Sequence, residues 1–450
     1  ESTPLSSVAR RGGILRAYTF AALTPETFDP HQSRGGPIAD VHSAVFSRLY
    51  RYSDDVAGTI VPDLAKAMPE QPDELTYIIP LREGVAFHDT PAARAAFPTV
   101  AGRPLDSEDV RQSIERQLNL NSPRASRFLR AGQLSLIERV VTPNRRTVTI
   151  RLKRPVAPFL AMLAAPQAYV IARETADASV DEMATASTLV GSGPFTAESF
   201  ETGVVARLRR NAAWFAANDG AGASGPQPWL DGVDAYFSPQ ESAFQRAAFE
   251  RQAVDLTELG DVEQLERVRA TTLADVSIDE VESGCVLASR LLVDRAPFKD
   301  DRVRRAVHLA IDRRALAAAL YPPFDGRDSA RLSGPIPPAL SRWAISGDDL
   351  VKTAAYREDR AAAIAEAKQL MAAALGDGAI ADVPAIFAGV PKAIAGPAAA
   401  ALQRQLAETI GMRLVAVIDP TGDVLLGGAL RRNVEEAAEG VLKSGLFDQA

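Results

Sequence analysis

The side chains able to do chemistry in this chain are few, and their spacing restricts what they can do. The four histidines, His31, His42, His88 and His308, form no His-x-x-x-His or His-Glu-x-x-His pair, and the lone cysteine adds no second thiol. A zinc site needs three or four such ligands brought together, so no metal is expected and the histidines read as structural or surface groups. His88, within Phe87-His88-Asp89, reads as a hydrogen-bonding residue of a turn. Cys285 lies in Ser283-Gly284-Cys285-Val286-Leu287-Ala288, a run with the character of a buried strand. A nucleophilic thiol needs a base and an electropositive, exposed setting. The neighbouring residues supply neither.

Glycine patterns point the same way. There is no Gly-x-x-x-x-Gly-Lys-Ser/Thr loop and no Gly-x-Gly-x-x-Gly after a strand, so nucleotide binding has no support. Gly191-Ser192-Gly193-Pro194 has no hydrolase context around its serine. The neighbouring carboxylates Asp300 and Asp301 read as helix caps, and Arg302, Arg304 and Arg305 as a solvated face pairing with them. The expectation is a protein that is not an enzyme and holds no cofactor.

The elements around these residues can be read from pattern. Pro297 blocks a helix entering from upstream, and Asp300 or Asp301 can cap one starting there. Val303, Val307, Ala310 and Ile311 give that helix one apolar face. Gly12-Gly13 turns into a strand from Ile14, and Phe28-Asp29-Pro30-His31 stops it. Gly35-Gly36-Pro37 makes a turn before a helix from about Ile38 to Tyr50. Asp106 or Ser107 caps the helix that follows, Arg146–Leu152 alternates as a half-buried strand, and an alanine-rich helix runs from about Asp359 to Leu375. A helix over Ala398–Gly411 and a strand over Arg413–Ile418 close the readable pattern.

Composition sets the outer limits. The 450 residues predict two or three domains, and 46% apolar with 24% charged residues is the balance of an ordinary globular chain. A net charge of −7 argues against nucleic acid and against an anionic membrane surface. No run approaches the roughly 20 apolar residues of a membrane span. A single cysteine excludes an internal disulfide and leaves the compartment open.

The order of the motifs says more. Pro297-Phe298-Lys299-Asp300-Asp301-Arg302-Val303-Arg304-Arg305-Ala306, followed by Ala310-Ile311-Asp312-Arg313, closely resembles a signature of extracellular solute-binding proteins, family 5, the oligopeptide-, dipeptide- and nickel-type receptors of ABC importers. Gly12-Gly13-Ile14-Leu15-Arg16, Pro62-Asp63-Leu64-Ala65, Leu81-Arg82-Glu83-Gly84-Val85-Ala86-Phe87-His88-Asp89, Gly191-Ser192-Gly193-Pro194-Phe195 and Arg210-Asn211 with Trp214 resemble further family landmarks in the expected order, over residues 12 to 418. Ser444-Gly445-Leu446-Phe447-Asp448-Gln449-Ala450 resembles the family's entry into a pocket-lining loop, which is not present beyond Ala450.

That resemblance implies an α/β fold, periplasmic-binding-protein-like type II (cluster C), with two main lobes, a hinge and an extra inserted domain. It places the first lobe at 1–50 and 188–282, the inserted domain at 51–187 and the other lobe at 283–450, with the C-terminal return to the first lobe missing or shortened. It implies a monomer that captures a small solute, a short peptide or peptide-like molecule, by hinge closure and delivers it to an ABC permease. The location implied is periplasmic or extracellular, with the signal removed and a lipoprotein tether as one form. The ligand-binding residues implied are Arg34, Gly35, Gly36 and Pro37 on one side and Ser283, Gly284 and Cys285 at a crossover. The alternatives are a sensory adaptor of the same fold and a hydrolase acting in the cleft, and the residues show no nucleophile–base cluster for the latter.

Overall fold

The computed structural model describes residues 11–20, 28–32, 37–53, 59–118, 128, 130–176, 188–201, 203–219, 226–238, 247–257, 266, 268–269, 276–278, 291–294, 296–320, 332–337, 344–376, 383–387 and 392–418. The chain divides into two compact units, Glu1–Val276 and Ser277–Ala450.

In chain order the first unit contains β1 (Ile14–Phe20), α1 (Pro37–Val45), β2 (Tyr50–Tyr52), β3 (Ile60–Pro62), β4 (Glu70–Asp73), β5 (Thr76–Pro80), α2 (Pro91–Ala96) and α3 (Ser107–Leu118). It continues with α4 (Ala131–Leu134), β6 (Ile137–Asn144), β7 (Thr147–Leu152), α5 (Phe159–Ala164), α6 (Arg173–Ala176), β8 (Phe195–Glu201), β9 (Val205–Arg210) and β10 (Gly232–Ser238). One sheet has the order β4-β5-β7-β6 and is antiparallel throughout. Its central strand β7 alternates as its sequence does. Val148, Ile150 and Leu152 are 0% exposed and point one way, as the period of two in a strand requires. The helix α3 covers that side with Val110 and Ile114. Asp106 caps α3, its Oδ1 accepting from Glu108 N at 3.0 Å.

The other sheet has the order β1-β10-β9-β8, with β1 parallel to β10 and the remaining pairs antiparallel. The chain reaches β1 through Gly12 and Gly13 at φ of 101° and 81°, which other residues adopt at a cost. A second core gathers Phe28 and the α1 residues Ile38, Val41 and Val45 with Ala197, Ala206, Leu208 and Ala235 from the sheet.

The helix α1 stops at Val45, not at Tyr50. A longer helix would pass the Val45 carbonyl to the amide four residues on. Here that carbonyl accepts from Gly193 N at 2.8 Å, and Tyr50 pairs across to Pro62 in the β2–β3 ribbon. Tertiary partners took the backbone groups that would have extended it.

The second unit contains α7 (Asp301–Ala310), α8 (Arg313–Leu320), α9 (Gly347–Leu350), α10 (Arg360–Leu375), β11 (Val383–Phe387), α11 (Lys392–Ile410) and β12 (Leu414–Ile418), with β11 parallel to β12. Asp300 caps α7, accepting from Arg302 N at 2.8 Å. Val303, Val307, Ala310 and Ile311 are buried against Ala367 and Met371 of α10. Asp359 caps α10, accepting from Ala362 N at 2.9 Å. The helix α11 begins at Lys392 and runs through Pro397, so a proline that costs one backbone bond does not mark its start. The basic run does not pair as a block with the aspartates. Arg302 binds Asp300, but Arg304 donates to the carbonyls of Phe298 and Lys299 and Arg305 pairs with Glu366 of α10 at 2.9 Å.

Candidate ligand-binding site

Of the residues implied as ligand-binding, Arg34, Gly35 and Gly36 and Ser283, Gly284 and Cys285 lie outside the described residues, as does the strand expected around Cys285. Pro37 is the first residue of α1. The structure describes the frame from which the 33–36 connection springs, and that frame is a buried polar knot.

Its centre is Asp29, 1% exposed. Asp29 Oδ1 accepts from His31 N at 3.0 Å, Oδ2 accepts from Gln32 Nε2 at 2.7 Å, and its carbonyl accepts from Gln32 N at 3.1 Å. The side chain of Arg116, near the end of α3, reaches the same carboxylate. Its Nη1 donates to Oδ1 at 2.9 Å and its Nη2 donates to Oδ2. Arg116 Nη1 also lies 3.0 Å from His31 Nδ1, and His31 Nε2 lies 2.8 Å from the Tyr169 carbonyl. A guanidinium can only donate and a carbonyl can only accept. His31 therefore carries its proton on Nε2 and accepts on Nδ1.

On the far side of the connection, His42 of α1 donates from Nε2 to the Phe28 carbonyl at 2.9 Å. Phe28 packs edge-on against Phe200, ring centres 4.7 Å apart. Both ends of the 33–36 connection are thereby tied to one stretch, Phe28–Gln32, which is itself tied to α3.

The charges follow the geometry. Burial pushes the Asp29 carboxyl up, but the hydrogen bonds and positive charge of Arg116 outweigh it and hold the group at about 2. Burial, reinforced by the Arg116 charge, lowers His31 to about 4, and burial alone lowers His42 to about 4. Both histidines are neutral donors at ordinary pH.

The Gly191–Gly193 segment serves packing. His88 N donates to the Gly191 carbonyl at 2.8 Å and His88 Nε2 to the Gly193 carbonyl at 3.0 Å, where Asn211 Nδ2 also donates at 3.0 Å. A Cβ on Gly191 would fall 2.1 Å from the Val45 carbonyl oxygen, and one on Gly193 2.6 Å from that of Ala44. These glycines let the segment press on the C-terminal end of α1. Ser192 is buried beside them, and its Oγ has no hydrogen-bond partner among the described residues. Burial holds His88 at about 4 as well. His308 is exposed on α7 and accepts at Nδ1 from Arg313 Nη2, 2.9 Å away.

Sequence pattern missed Arg116 and Tyr169, which lie 87 and 138 residues from their partners Asp29 and His31. An arginine on the polar side of an amphipathic helix carries no local mark of a buried partner. The only sequence trace of the knot was Asp29-Pro30-His31, read as a strand stop.

Comparison with known proteins shows the type II periplasmic-binding-protein fold. The family model for bacterial extracellular solute-binding proteins, family 5 (middle region), matches residues 59–420, and the chain belongs to that family. It is 27% identical over 356 residues to a probable di/tripeptide-binding protein 5 of Pseudomonas aeruginosa, covering 74% of this chain and 62% of that protein. It is 28% identical over 357 residues to the dipeptide-binding protein of Escherichia coli, covering 76% of this chain and 61% of that one. The chain thus spans about three fifths of the length of these relatives. Among solved structures, the periplasmic binding protein DppA from Helicobacter pylori in complex with the peptide STSA superposes with a TM-score of 0.70 at 23% identity, covering 92% of this chain and 75% of that one.

Proposed function

We propose that this chain is an extracytoplasmic solute-binding protein of an ABC importer, periplasmic or extracellular and monomeric, that captures a short peptide or peptide-like solute and presents it to a membrane permease. The observation that carries the reading is the family match over residues 59–420, and the peptide-binding relatives support the ligand class. Among the described residues no group of three or more His, Cys, Asp or Glu stands together as a metal site would require, and no helix is long and apolar enough to cross a membrane. The lobes we propose are 1–50 with 188–282, an inserted domain at 51–187, and 283–450, with hinge closure enclosing the ligand.

A peptide brings one N–H and one C=O per residue, and burying either unpaired costs about 1–3 kcal/mol. A receptor tolerant of different side chains meets these groups with its own backbone. Gly35 and Gly36 permit that close approach, and Asp29, Arg116 and His42 hold both ends of their connection. Ser283, Gly284 and Cys285 supply the opposing backbone in this reading. Calorimetric titration of the purified chain with di- and tripeptides tests the reading. Saturable one-site binding, with a smaller radius of gyration when peptide is bound, is the expected outcome. Absence of binding across a set of peptides varied in length and side chain overturns the ligand class.

A further inference from the structure

Towards its end α3 sends polar side chains into the interior of the first unit. Arg116 clasps Asp29, and Ser113 donates to the Asp109 carbonyl at 2.7 Å while accepting from Ile171 N at 3.0 Å. Gln117 donates from Nε2 to the Ser113 carbonyl at 2.9 Å. Gln117 is only 2% exposed, and its Oε1 has no donor among the described residues. Turning the amide round does not cure this. A carbonyl only accepts, so the Ser113 carbonyl holds the NH₂ group on its own side and leaves the oxygen opposite.

Arg130, just ahead of α4, has the complementary need. It is 5% exposed, its Nη2 donates to the Met162 carbonyl and its Nη1 to the Gln167 carbonyl at 3.3 Å, and its Nε has no acceptor among the described residues. Burial lowers its pKa to about 10, so the group is still a charged donor at neutral pH. Gln117 and Arg130 line one cavity of about 20 Å³, whose other walls include the apolar side chains of Val110, Ile114 and Leu163. By that measure a single water needs roughly 10–15 Å³.

We propose that this cavity is a site for one buried water molecule, which accepts from Arg130 Nε and donates to Gln117 Oε1. A donor and an acceptor that both need a partner around one small space call for a ligand able to play both parts. A halide ion would satisfy the guanidinium but oppose the amide oxygen. The bridge ties α3 to Arg130, and through it to the carbonyls of Met162 and Gln167 on the approach to Tyr169. The Tyr169 carbonyl in turn takes His31, so the water belongs to the polar framework behind the Asp29 clasp.

Crystals of the full chain grown from bromide, with data at the bromine edge and at a resolution that shows ordered water, test the site. One peak about 2.7–3.2 Å from both Arg130 Nε and Gln117 Oε1, without anomalous signal, is expected. An anomalous peak there assigns the cavity to an anion, and featureless density leaves the two groups unbridged. Either result overturns the proposal. In solution, Val110→Ile adds a methylene to the cavity wall and is expected to lower the urea midpoint, because it takes the water's place and strands both polar atoms. In a Gln117→Met background the same addition should lower the midpoint less, since one of those atoms is gone. A raised midpoint in Val110→Ile, as filling a dry cavity gives, or an equal drop in both backgrounds, overturns the bridge.

Discussion

Arg116 clasps Asp29 with both terminal nitrogens although 87 residues separate them in sequence, and both side chains are nearly sealed from water, 7% and 1% exposed. This bond ties α3 to the stretch from which the proposed ligand-binding connection starts. Removing one member of a buried pair strands the other without solvent. Arg116→Met is therefore expected to lower unfolding free energy by about 3–5 kcal/mol. The double variant Asp29→Asn with Arg116→Met should lose less than Arg116→Met alone. Urea unfolding checks both, and equal loss in the two variants would show that the stranded charge is not the cause.

Stability should fall as pH drops from 6.5 towards 4. His31, His42 and His88 are each lowered from 6.5 to about 4 in the folded chain, by burial first. Between those values the unfolded chain binds protons that the folded chain excludes, so acid favours unfolding. The contribution of each histidine is complete above 6.5, and its loss below 4 is on the order of 3 kcal/mol. Asp29 acts at lower pH, its contribution present above 3.8 and lost as pH falls through about 2. Denaturant midpoints at pH 7 and pH 4.5 measure the difference, and equal midpoints would contradict neutral buried imidazoles.

Two glycine substitutions should behave oppositely. Gly191→Ala drives a methyl to within 2.1 Å of the Val45 carbonyl oxygen and is expected to destabilise by about 2–4 kcal/mol through overpacking against backbone. Gly132 lies inside α4, and a Cβ there meets nothing within 4 Å. Gly132→Ala should be neutral or stabilise by up to about 1 kcal/mol, the helix-propensity gain. Thermal melts of the two variants test the contrast.

Gly36→Val tests the proposed ligand contact. It should weaken peptide affinity more than tenfold, about 1.4 kcal/mol, with little change in the melting temperature of the free protein. Unchanged affinity in the folded variant would remove this turn from the site. Arg116→Lys is the companion measurement. It keeps the charge at Asp29 but loses the fork, and if the knot positions the turn it should weaken peptide binding in a chain that still folds.

Hydrophobic period and capping chemistry are local properties, and they were legible without coordinates. Asp106 and Asp300 each precede a helix whose first free amides need an acceptor, and the structure places both as caps. Val148, Ile150 and Leu152 alternate within six residues, so β7 and its buried face follow from the chain itself. The ordered motifs carried family membership in the same way. The partners of buried polar groups are not local. Nothing near Asp29 announces Arg116, nothing near His31 announces the Tyr169 carbonyl, and His88 meets the Gly193 carbonyl across 105 residues. The end of α1 was misread for the same reason, because the Val45 carbonyl goes to Gly193 from a distant segment. Desolvation makes each buried polar group require a partner, but which residue answers is decided by the tertiary fold.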